Sequence, residues 1–316
     1  MAGTVVSTKT GLALQIYAKT IASINAKNVF KEMCTVATIT GGYSHRFNVM
    51  GTGIDTDVTS FALGDNPDLT QLSVNKRDIT VDRTMTSRKK IDNWERKAAN
   101  FDMVSAAVEQ NATSMAIKID KMVVATLDAA MLEGQLLAQD GSGKVVQDTA
   151  GNVNIAGYAS LSGAEAKGDA ILEALFSAGS VLDGKDQVGK QRYFVTSPAY
   201  YDKLVQSQKA VNRDFNSGNN GSIAMGNVLE IDGVKILKSN HIVATGLDSQ
   251  AQGEALEGKT VIGWVLTEDV VGITELIGVN TDEWEEKKEK ALYCDVEYAA
   301  GFGVLNPASL VAVTIS

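Results

Sequence analysis

The stretch that decides the fold spans residues 191–242 and reads QRYFVTSPAYYDKLVQSQKAVNRDFNSGNNGSIAMGNVLEIDGVKILKSNHI. Residues 192–196 form an aromatic and β-branched run, which predicts a strand. Ser197 takes the capping position before Pro198, whose missing N–H costs nothing in the first helical turn. Asp232-Gly233 tolerates the positive φ angles of a two-residue hairpin turn. The stretch therefore predicts a strand, a helix, a loop and a hairpin, and it offers no catalytic constellation.

The order of the motifs in this part of the chain resembles the major capsid proteins of short-tailed bacteriophages. That family shows an Arg-aromatic strand, a Pro-aromatic-x-x-Leu helix start, a Gly-Val-x-Val hairpin ending in Ser-Asn, and a final Tyr-x-x-Gly-x-Gly-Val-Leu-x-Pro segment. Here these motifs occupy residues 192–194, 198–204, 233–240 and 298–307. The similarity extends over most of the chain.

The resemblance implies an α+β fold of the Hong Kong type, which tailed-phage major capsid proteins share. It also implies a structural function without enzyme activity or cofactor. Copies of the chain would assemble as pentamers and hexamers into an icosahedral head around double-stranded DNA. The expected partners are these copies, a portal protein and a separate scaffolding protein, and the sequence leaves open whether decoration proteins bind. The expected location is the virion shell, assembled in the host cytoplasm.

Composition is consistent with this interpretation. Among the 316 residues, 44% are hydrophobic and 21% charged, which is typical of a folded and soluble protein. The net charge of −9 disfavours tight binding to nucleic acid, so the DNA would be enclosed without sequence-specific contacts. No apolar run approaches the roughly 20 residues that a membrane helix needs, so we expect no membrane contact.

The first 90 residues predict two extensions with little core of their own. Residues 1–43 indicate an N-terminal arm with an amphipathic helix. Residues 44–90 indicate an extended β-hairpin loop, with strands at 44–50 and 76–85 around a turn-rich span. Isolated two-stranded hairpins are marginal in water, so this one should lie on another surface, for which a neighbouring subunit is the natural candidate.

Residues 91–133 predict one long spine helix because apolar residues recur every seven positions. These residues are Trp94, Phe101, Val108, Met115, Met122 and Ala129. A coiled coil is the alternative, but the small residues at the intermediate positions favour packing on a sheet.

The remaining chain completes a layout whose domain names come from the resemblance. Residues 91–190 and the return strands of 291–316 would form the peripheral domain, and residues 191–290 the axial domain. Within them we expect a long surface loop with strand fragments over 134–168 and a helix over 169–182.

Three further expectations concern the strands near the C-terminus. Strands at 261–267 and 270–277 should share one sheet. Residues 282–290 are a charge run that indicates a solvated loop or a turn of helix. Residues 291–300 should return toward the spine helix.

A charged cluster at the root of the predicted hairpin is the candidate contact site between subunits. Its members are Asp78, Asp82, Arg83, Arg88, Lys89 and Lys90. The sharper hypothesis is that the basic residues meet carboxylates of an adjacent subunit. The alternative is a solvated surface of mixed charge.

Catalytic and metal-binding patterns are weak. Residues 179–185 match most of a phosphate-binding loop, but Asp186 follows where a Ser or Thr should hold magnesium, and a helix end explains the same letters. His45 and His241 are far apart and lack nearby ligands. Two alternatives stay open, namely a cellular nanocompartment shell and a nucleotide-dependent enzyme based on residues 179–185.

Overall fold

The computed structural model describes residues 20, 24, 28–49, 75–99, 102–139, 149–185, 187, 189–207, 221–222, 227–228, 230–242 and 260–316. The helices are α1 (Asn93–Ala98), α2 (Met103–Gln139), α3 (Ala164–Asp183) and α4 (Pro198–Gln206), with 3-10 turns at Lys31–Met33, Tyr158–Ser160 and Pro307–Ser309. The strands are β1 (Thr35–Thr38), β2 (Ser44–Val49), β3 (Asn75–Thr80), β4 (Thr84–Asp92), β5 (Gly151–Ile155), β6 (Arg192–Thr196), β7 (Gly221–Ser222), β8 (Asn227–Val228), β9 (Glu230–Ile231), β10 (Val234–Lys238), β11 (Thr260–Thr267), β12 (Val271–Glu286), β13 (Ala291–Val304) and β14 (Leu310–Ile315).

The stretch around β6 folds largely as its sequence predicts. Strand β6 leads into α4, which has Pro198 in its first turn. Ser197 occupies the cap position, but its hydroxyl makes no capping bond; its backbone carbonyl instead accepts the Tyr201 N–H over 2.9 Å. Asp232 and Gly233 adopt φ angles of 52° and 71°, which fit the predicted hairpin turn between β9 and β10.

A six-stranded sheet in the order β5-β14-β11-β6-β10-β9 is covered on both faces. On β6, Phe194 packs in a core cluster with α3 and α4, whereas the adjacent Val195 packs in a cluster with α2. Alternate residues of a strand point to opposite faces, so helices lie on both sides of this sheet. Trp264 of β11 is fully buried here, and its Nε1 donates to the Ile242 carbonyl over 3.0 Å.

A four-stranded sheet in the order β1-β12-β13-β4 is covered differently. Helix α2 lies on one face, where Asn111 Nδ2 donates to the Cys294 carbonyl over 3.1 Å. On β13 the buried Cys294 and Val296 alternate with the half-buried Tyr293 and Asp295. The latter two therefore lie on the face opposite α2. The predicted packing of the long helix on a sheet is confirmed.

The spine helix begins later than the sequence indicates. Residues 91–92 belong to β4, because Asp92 pairs with Ala291 of β13. The short α1 follows and ends at Ala98, because the next residue, Ala99, has an extended ψ of 139°. Helix α2 then starts after Asp102, whose carboxylate accepts the N–H groups of residues 104 and 105 over 3.1 and 3.2 Å. The prediction of one helix over 91–133 was wrong at its start, and α2 extends beyond residue 133.

Helix α3 also begins earlier than predicted, at Ala164 rather than at 169, and β5 lies within the expected surface loop. Ile171, Leu172 and Leu175 of α3 are buried, but Phe176 is exposed.

The two strands expected to share a sheet lie in different sheets. Strand β11 pairs with β14 and β6, whereas β12 pairs with β1 and β13. The predicted loop over 282–290 was also wrong in its first half. Residues 282–286 continue β12 and pair with β13 as far as Ala291, and only residues 287–290 form a turn.

The sheets do not follow the boundaries expected at residues 190 and 290. Strands β5 and β14 lie in the six-stranded sheet with β6, although they were assigned to the other domain. Strand β12 lies in the four-stranded sheet, although it was assigned to the axial domain.

The two N-terminal extensions are described in part. Thr20 and Ile24 are helical, and β1 pairs in parallel with β12. Strands β2 and β3 form the predicted antiparallel pair, whereas β4 leaves the ribbon and joins the four-stranded sheet. The other residues of 1–27 and the span 50–74 lie outside the described part.

Candidate inter-subunit contact site

The base of the β2–β3 ribbon rests on a platform of three glycines, Gly272, Gly301 and Gly303. A Cβ at Gly301 would lie 2.3 Å from the Thr80 carbonyl oxygen. At Gly272 and Gly303 it would lie 2.7 and 2.8 Å from side-chain atoms of Ile79. The ribbon therefore reaches its seat only because the sheet has no side chains there. The base of the ribbon therefore lies on its own subunit.

Asp78 is already paired within the ribbon. Arg46 on β2 donates to its two carboxylate oxygens over 2.6 and 2.8 Å, a bidentate arrangement. The hydrogen bonds from Arg46 lower the pKa of Asp78, and the same contact raises the pKa of Arg46. Both side chains are largely exposed, so the pair contributes little to stability. Its cross-strand geometry instead fixes the register of the ribbon.

Arg88 and Lys90 lie on the face of the four-stranded sheet opposite α2. Arg88 Nη2 donates to Asp295 over 2.8 Å, and its guanidinium lies 4.9 Å from the ring of Trp284. Trp284 stacks on Tyr293 with ring centroids 5.4 Å apart. We call these residues, with Lys90, the outer patch.

Lys90 completes the outer patch through the turn between β12 and β13. Its Nζ lies 3.0 Å from Glu289 and 3.7 Å from Asp92. Hydrogen bonds from the Tyr293 hydroxyl and from Lys90 lower the pKa of Glu289, and the contact with Glu289 raises the pKa of Lys90. No described element covers the outer patch, so its aromatic and charged groups are available to another molecule.

Lys89 lies on the face of the four-stranded sheet that α2 covers. It lines a groove of about 540 Å³ between β4 and the first turns of α2, beside Ile91, Ala106 and Ala107. It makes no ion pair with any described residue. Asp82 and Arg83, in the connection between β3 and β4, pair with each other at 3.3 Å and stay exposed.

The six predicted residues therefore do not form one cluster. Asp78 lies on the ribbon, Asp82 and Arg83 on its connection to β4, Arg88 and Lys90 on the outer patch, and Lys89 on the opposite face. The sequence analysis missed Trp284, Tyr293 and Asp295. The alternation of polar and apolar residues over 291–298 could have indicated the exposed face of β13. The charge run before it was interpreted as a loop, so the end of β12 was not predicted.

The candidate phosphate-binding segment and the two cysteines have structural roles in the fold. Residues 179–183 form the last turn of α3, and Lys185 Nζ donates to the Thr149 carbonyl, so this segment is not a loop between a strand and a helix. Burial, aided by Glu283, raises the pKa of the Cys294 thiol to about 11, and burial raises that of Cys34 as well. In the described part of the chain, no three metal-ligating side chains lie together, and no helix is long and apolar enough to cross a membrane.

Two carboxylates of α2 are buried. Asp120 accepts the Phe30 and Val29 N–H groups over 3.2 and 3.4 Å, which fastens the segment before β1 to the middle of the helix. Burial raises the pKa of Asp120 to about 6, although these two hydrogen bonds oppose the shift. Burial raises the pKa of Asp128 to about 7.

Comparisons with known proteins agree with the geometry. The family model described as "Gp10A-like: Major capsid protein" matches residues 62–314. The capsid of the cyanophage P-SCSP1u is similar, with a TM-score of 0.70 and 23% identity over 92% of this chain and 88% of that chain. The mature capsid of bacteriophage PhiM1 is similar, with a TM-score of 0.69 and 16% identity over 92% of this chain and 87% of that chain.

A virus-like particle from Pyrococcus furiosus has a TM-score of 0.53 and 12% identity over 96% of this chain and 99% of that chain. No curated protein matches the chain. The structural likenesses confirm the predicted α+β fold of the Hong Kong type.

Proposed function

The chain belongs to the Gp10A-like family of major capsid proteins, and from this premise we propose that its copies assemble as pentamers and hexamers into an icosahedral head enclosing double-stranded DNA. The chain has a structural role in the shell, and in this proposal it catalyses no reaction. The net charge of −9 supports a container that holds DNA without binding particular sequences.

The observation that carries the proposal is the incomplete cover of the four-stranded sheet. Helix α2 covers one face, but the stacked Trp284 and Tyr293 lie on a part of the other face that no described element covers. Aromatic residues beside arginine are typical of the central part of protein interfaces. A subunit with such a face is completed by contact with its neighbours.

The proposed division into domains follows the sheets rather than the chain. The four-stranded sheet and α2 would form the peripheral domain, and the six-stranded sheet with α3 and α4 would form the axial domain around local symmetry axes. Because α2 packs against both sheets, it would hold the two domains in a fixed relation.

The six charged residues remain the proposed contact site, with unequal roles. Asp78, Arg88 and Lys90 already have partners in their own subunit. Arg83 and Lys89 have no cross-strand ion pair among the described residues, so they are the members best placed to meet carboxylates of a neighbour.

Further partners follow from the same proposal. Assembly would take place in the host cytoplasm with a separate scaffolding protein, and a portal protein would occupy one vertex.

Electron microscopy of the full chain, produced with and without the scaffolding protein of its genome, tests the proposal. We expect closed shells of uniform size that contain DNA when packaging proteins are present. A compact monomer that stays monomeric at high concentration with the scaffolding protein would contradict it. Shells that enclose proteins in place of nucleic acid would favour a nanocompartment.

A further inference from the structure

Among the described residues, the four-stranded sheet has two edges with unpaired strand segments. Strand β4 is the last strand on one side and pairs only with β13. On the other side β1 pairs with residues 272–275 of β12, and no described strand pairs with residues 277–286 on the side away from β13. Each edge presents backbone N–H and C=O groups that another strand can pair with.

The two edges carry opposite charge. Strand β4 reads TMTSRKKID, with Arg83 directly before it, and we call Arg83, Arg88, Lys89 and Lys90 the basic edge. Residues 277–286 of β12 read IGVNTDEWEE and contain no basic residue. We call Asp282, Glu283, Glu285 and Glu286 the acidic edge.

Some of these charged side chains already contact other groups of the same subunit. Glu285 accepts a hydrogen bond from Asn93 Nδ2 over 2.8 Å, and Arg96 lies near Glu283. Asp282 and Glu286 form no ion pair with a described residue. The charges without an ion pair among the described residues are therefore negative on one edge, at Asp282 and Glu286, and positive on the other, at Lys89. Arg83 is paired only with the adjacent Asp82.

Charged residues on an edge strand often prevent unwanted pairing. That explanation fits a sheet whose two edges carry the same sign. Here like edges repel, so β4 against β4 and β12 against β12 are both disfavoured, whereas β4 against β12 is attractive. The charges therefore select one pairing over the others.

We propose that the basic edge of one subunit binds the acidic edge of a second copy of this chain, which adds a strand to the sheet. This inference rests on the proposed assembly into a shell, and it names the carboxylates that the contact site meets. The groove beside β4 provides room for side chains of the added strand, because Ala106 and Ala107 line it.

The contact is heterologous, since the two subunits use different surfaces. Heterologous contacts produce closed rings when the rotation between subunits closes, whereas two-fold contacts stop at a dimer. Each subunit uses both edges, so every copy in a ring contacts two neighbouring copies.

Charge reversal tests the pairing. The basic-edge variant combines Arg83→Glu with Lys89→Glu, and the acidic-edge variant combines Asp282→Lys with Glu286→Lys. The combined variant contains all four changes, which exchanges the signs of these four charges between the two edges. Lys118→Glu with Lys235→Glu is the matched control, because both lysines are exposed and lie away from the edges. Particle yield is measured by sedimentation, with circular dichroism to verify folding.

We expect each two-residue edge variant to lower the yield at least about tenfold, which corresponds to about 1.4 kcal/mol of association free energy. The combined variant should return to within about threefold of the unaltered chain, and the control should assemble normally. Assembly of the combined variant is the decisive result, since general damage to the fold would not be repaired by two further reversals.

Unaltered yield in both edge variants would overturn the pairing, as would a combined variant that folds but does not assemble. If a reversal lowers the melting temperature of the subunit, Lys89→Gln and Glu286→Gln replace it; a loss of at least about twofold is expected from each, and unchanged yield in both overturns the pairing. Failure of the unaltered chain to form shells with its scaffolding protein would instead contradict the proposed function.

Discussion

The two sheets of this subunit differ in how much of their surface the subunit itself covers. The six-stranded sheet has α2 on one face and α3 with α4 on the other, and Trp264 is fully buried within it. The four-stranded sheet has α2 on one face, and the base of the β2–β3 ribbon is the only described segment that covers its other face, at the glycine platform. The first sheet is stable by its own packing, whereas the second keeps apolar and charged groups for contact with other copies.

The two tryptophans of these sheets give the sharpest test of the comparison. Trp264→Ala removes a buried ring and the hydrogen bond to Ile242, so we expect the free energy of unfolding to fall by about 3–5 kcal/mol. Trp284→Ala removes only a half-exposed stacking partner and should cost about 1 kcal/mol. Urea denaturation of the isolated subunit measures both values, and equal losses would contradict the difference between the sheets.

The substitution Asp128→Asn tests the buried carboxylate of α2, the helix that packs against both sheets. The pKa of Asp128 is raised to about 7 from 3.8, so the folded chain holds this proton more tightly than the unfolded chain. The contribution of this group to stability is therefore greatest at low pH and is lost as the pH rises through this range. We expect the variant to stabilise the subunit by up to about 4 kcal/mol at pH 8 and by almost nothing at pH 4.

The measurement is urea denaturation at several pH values. Asp202→Asn, at an exposed position of α4, is the control and should leave the pH dependence unchanged. A variant of Asp128 that is no more stable than the original chain at pH 8 would show that the buried carboxylate carries no cost.

Gly301→Ala tests the covered end of the four-stranded sheet. The new methyl group would meet the Thr80 carbonyl, so the ribbon must move away, at a cost of about 1–3 kcal/mol. Hydrogen exchange at the amides of β2 and β3 should then become faster. Gly278→Ala is the control, because no atom lies within 4 Å of a Cβ at that position. Unchanged exchange in the Gly301 variant would show that the platform does not hold the ribbon.

Short-range signals predicted the fold best. The Asp232-Gly233 turn and the start of α4 at Pro198 depend on neighbouring residues alone, and both lie where the sequence indicates them. The end of β4 depends on pairing between Asp92 and Ala291, which are distant in the chain, so the periodicity around Trp94 indicated a helix that begins too early. Residues 282–286 have helical charge spacing, yet pairing with β13 makes them a strand.

The candidate site was predictable only in part for the same reason. The sequence shows that basic residues gather before the long helix, but the partner of Arg88 is Asp295, which is 207 residues away in the chain. The alternation that separates Lys89 from Arg88 and Lys90 becomes meaningful only once the position of α2 is known. Ionic partners across a sheet are set by its register, which no local pattern in the sequence contains.

The hydrogen bonds of Asp120 have a mechanical consequence. They hold Phe30, and the backbone then runs through β1 to β2 with few residues between. A load applied to the ribbon by an adjoining subunit is thus transmitted along a short tether to the midpoint of α2, rather than to a free chain end. The tether joins the ribbon to the longest helix of the described part of the chain, so we expect displacement of β2 and rotation of α2 to be coupled.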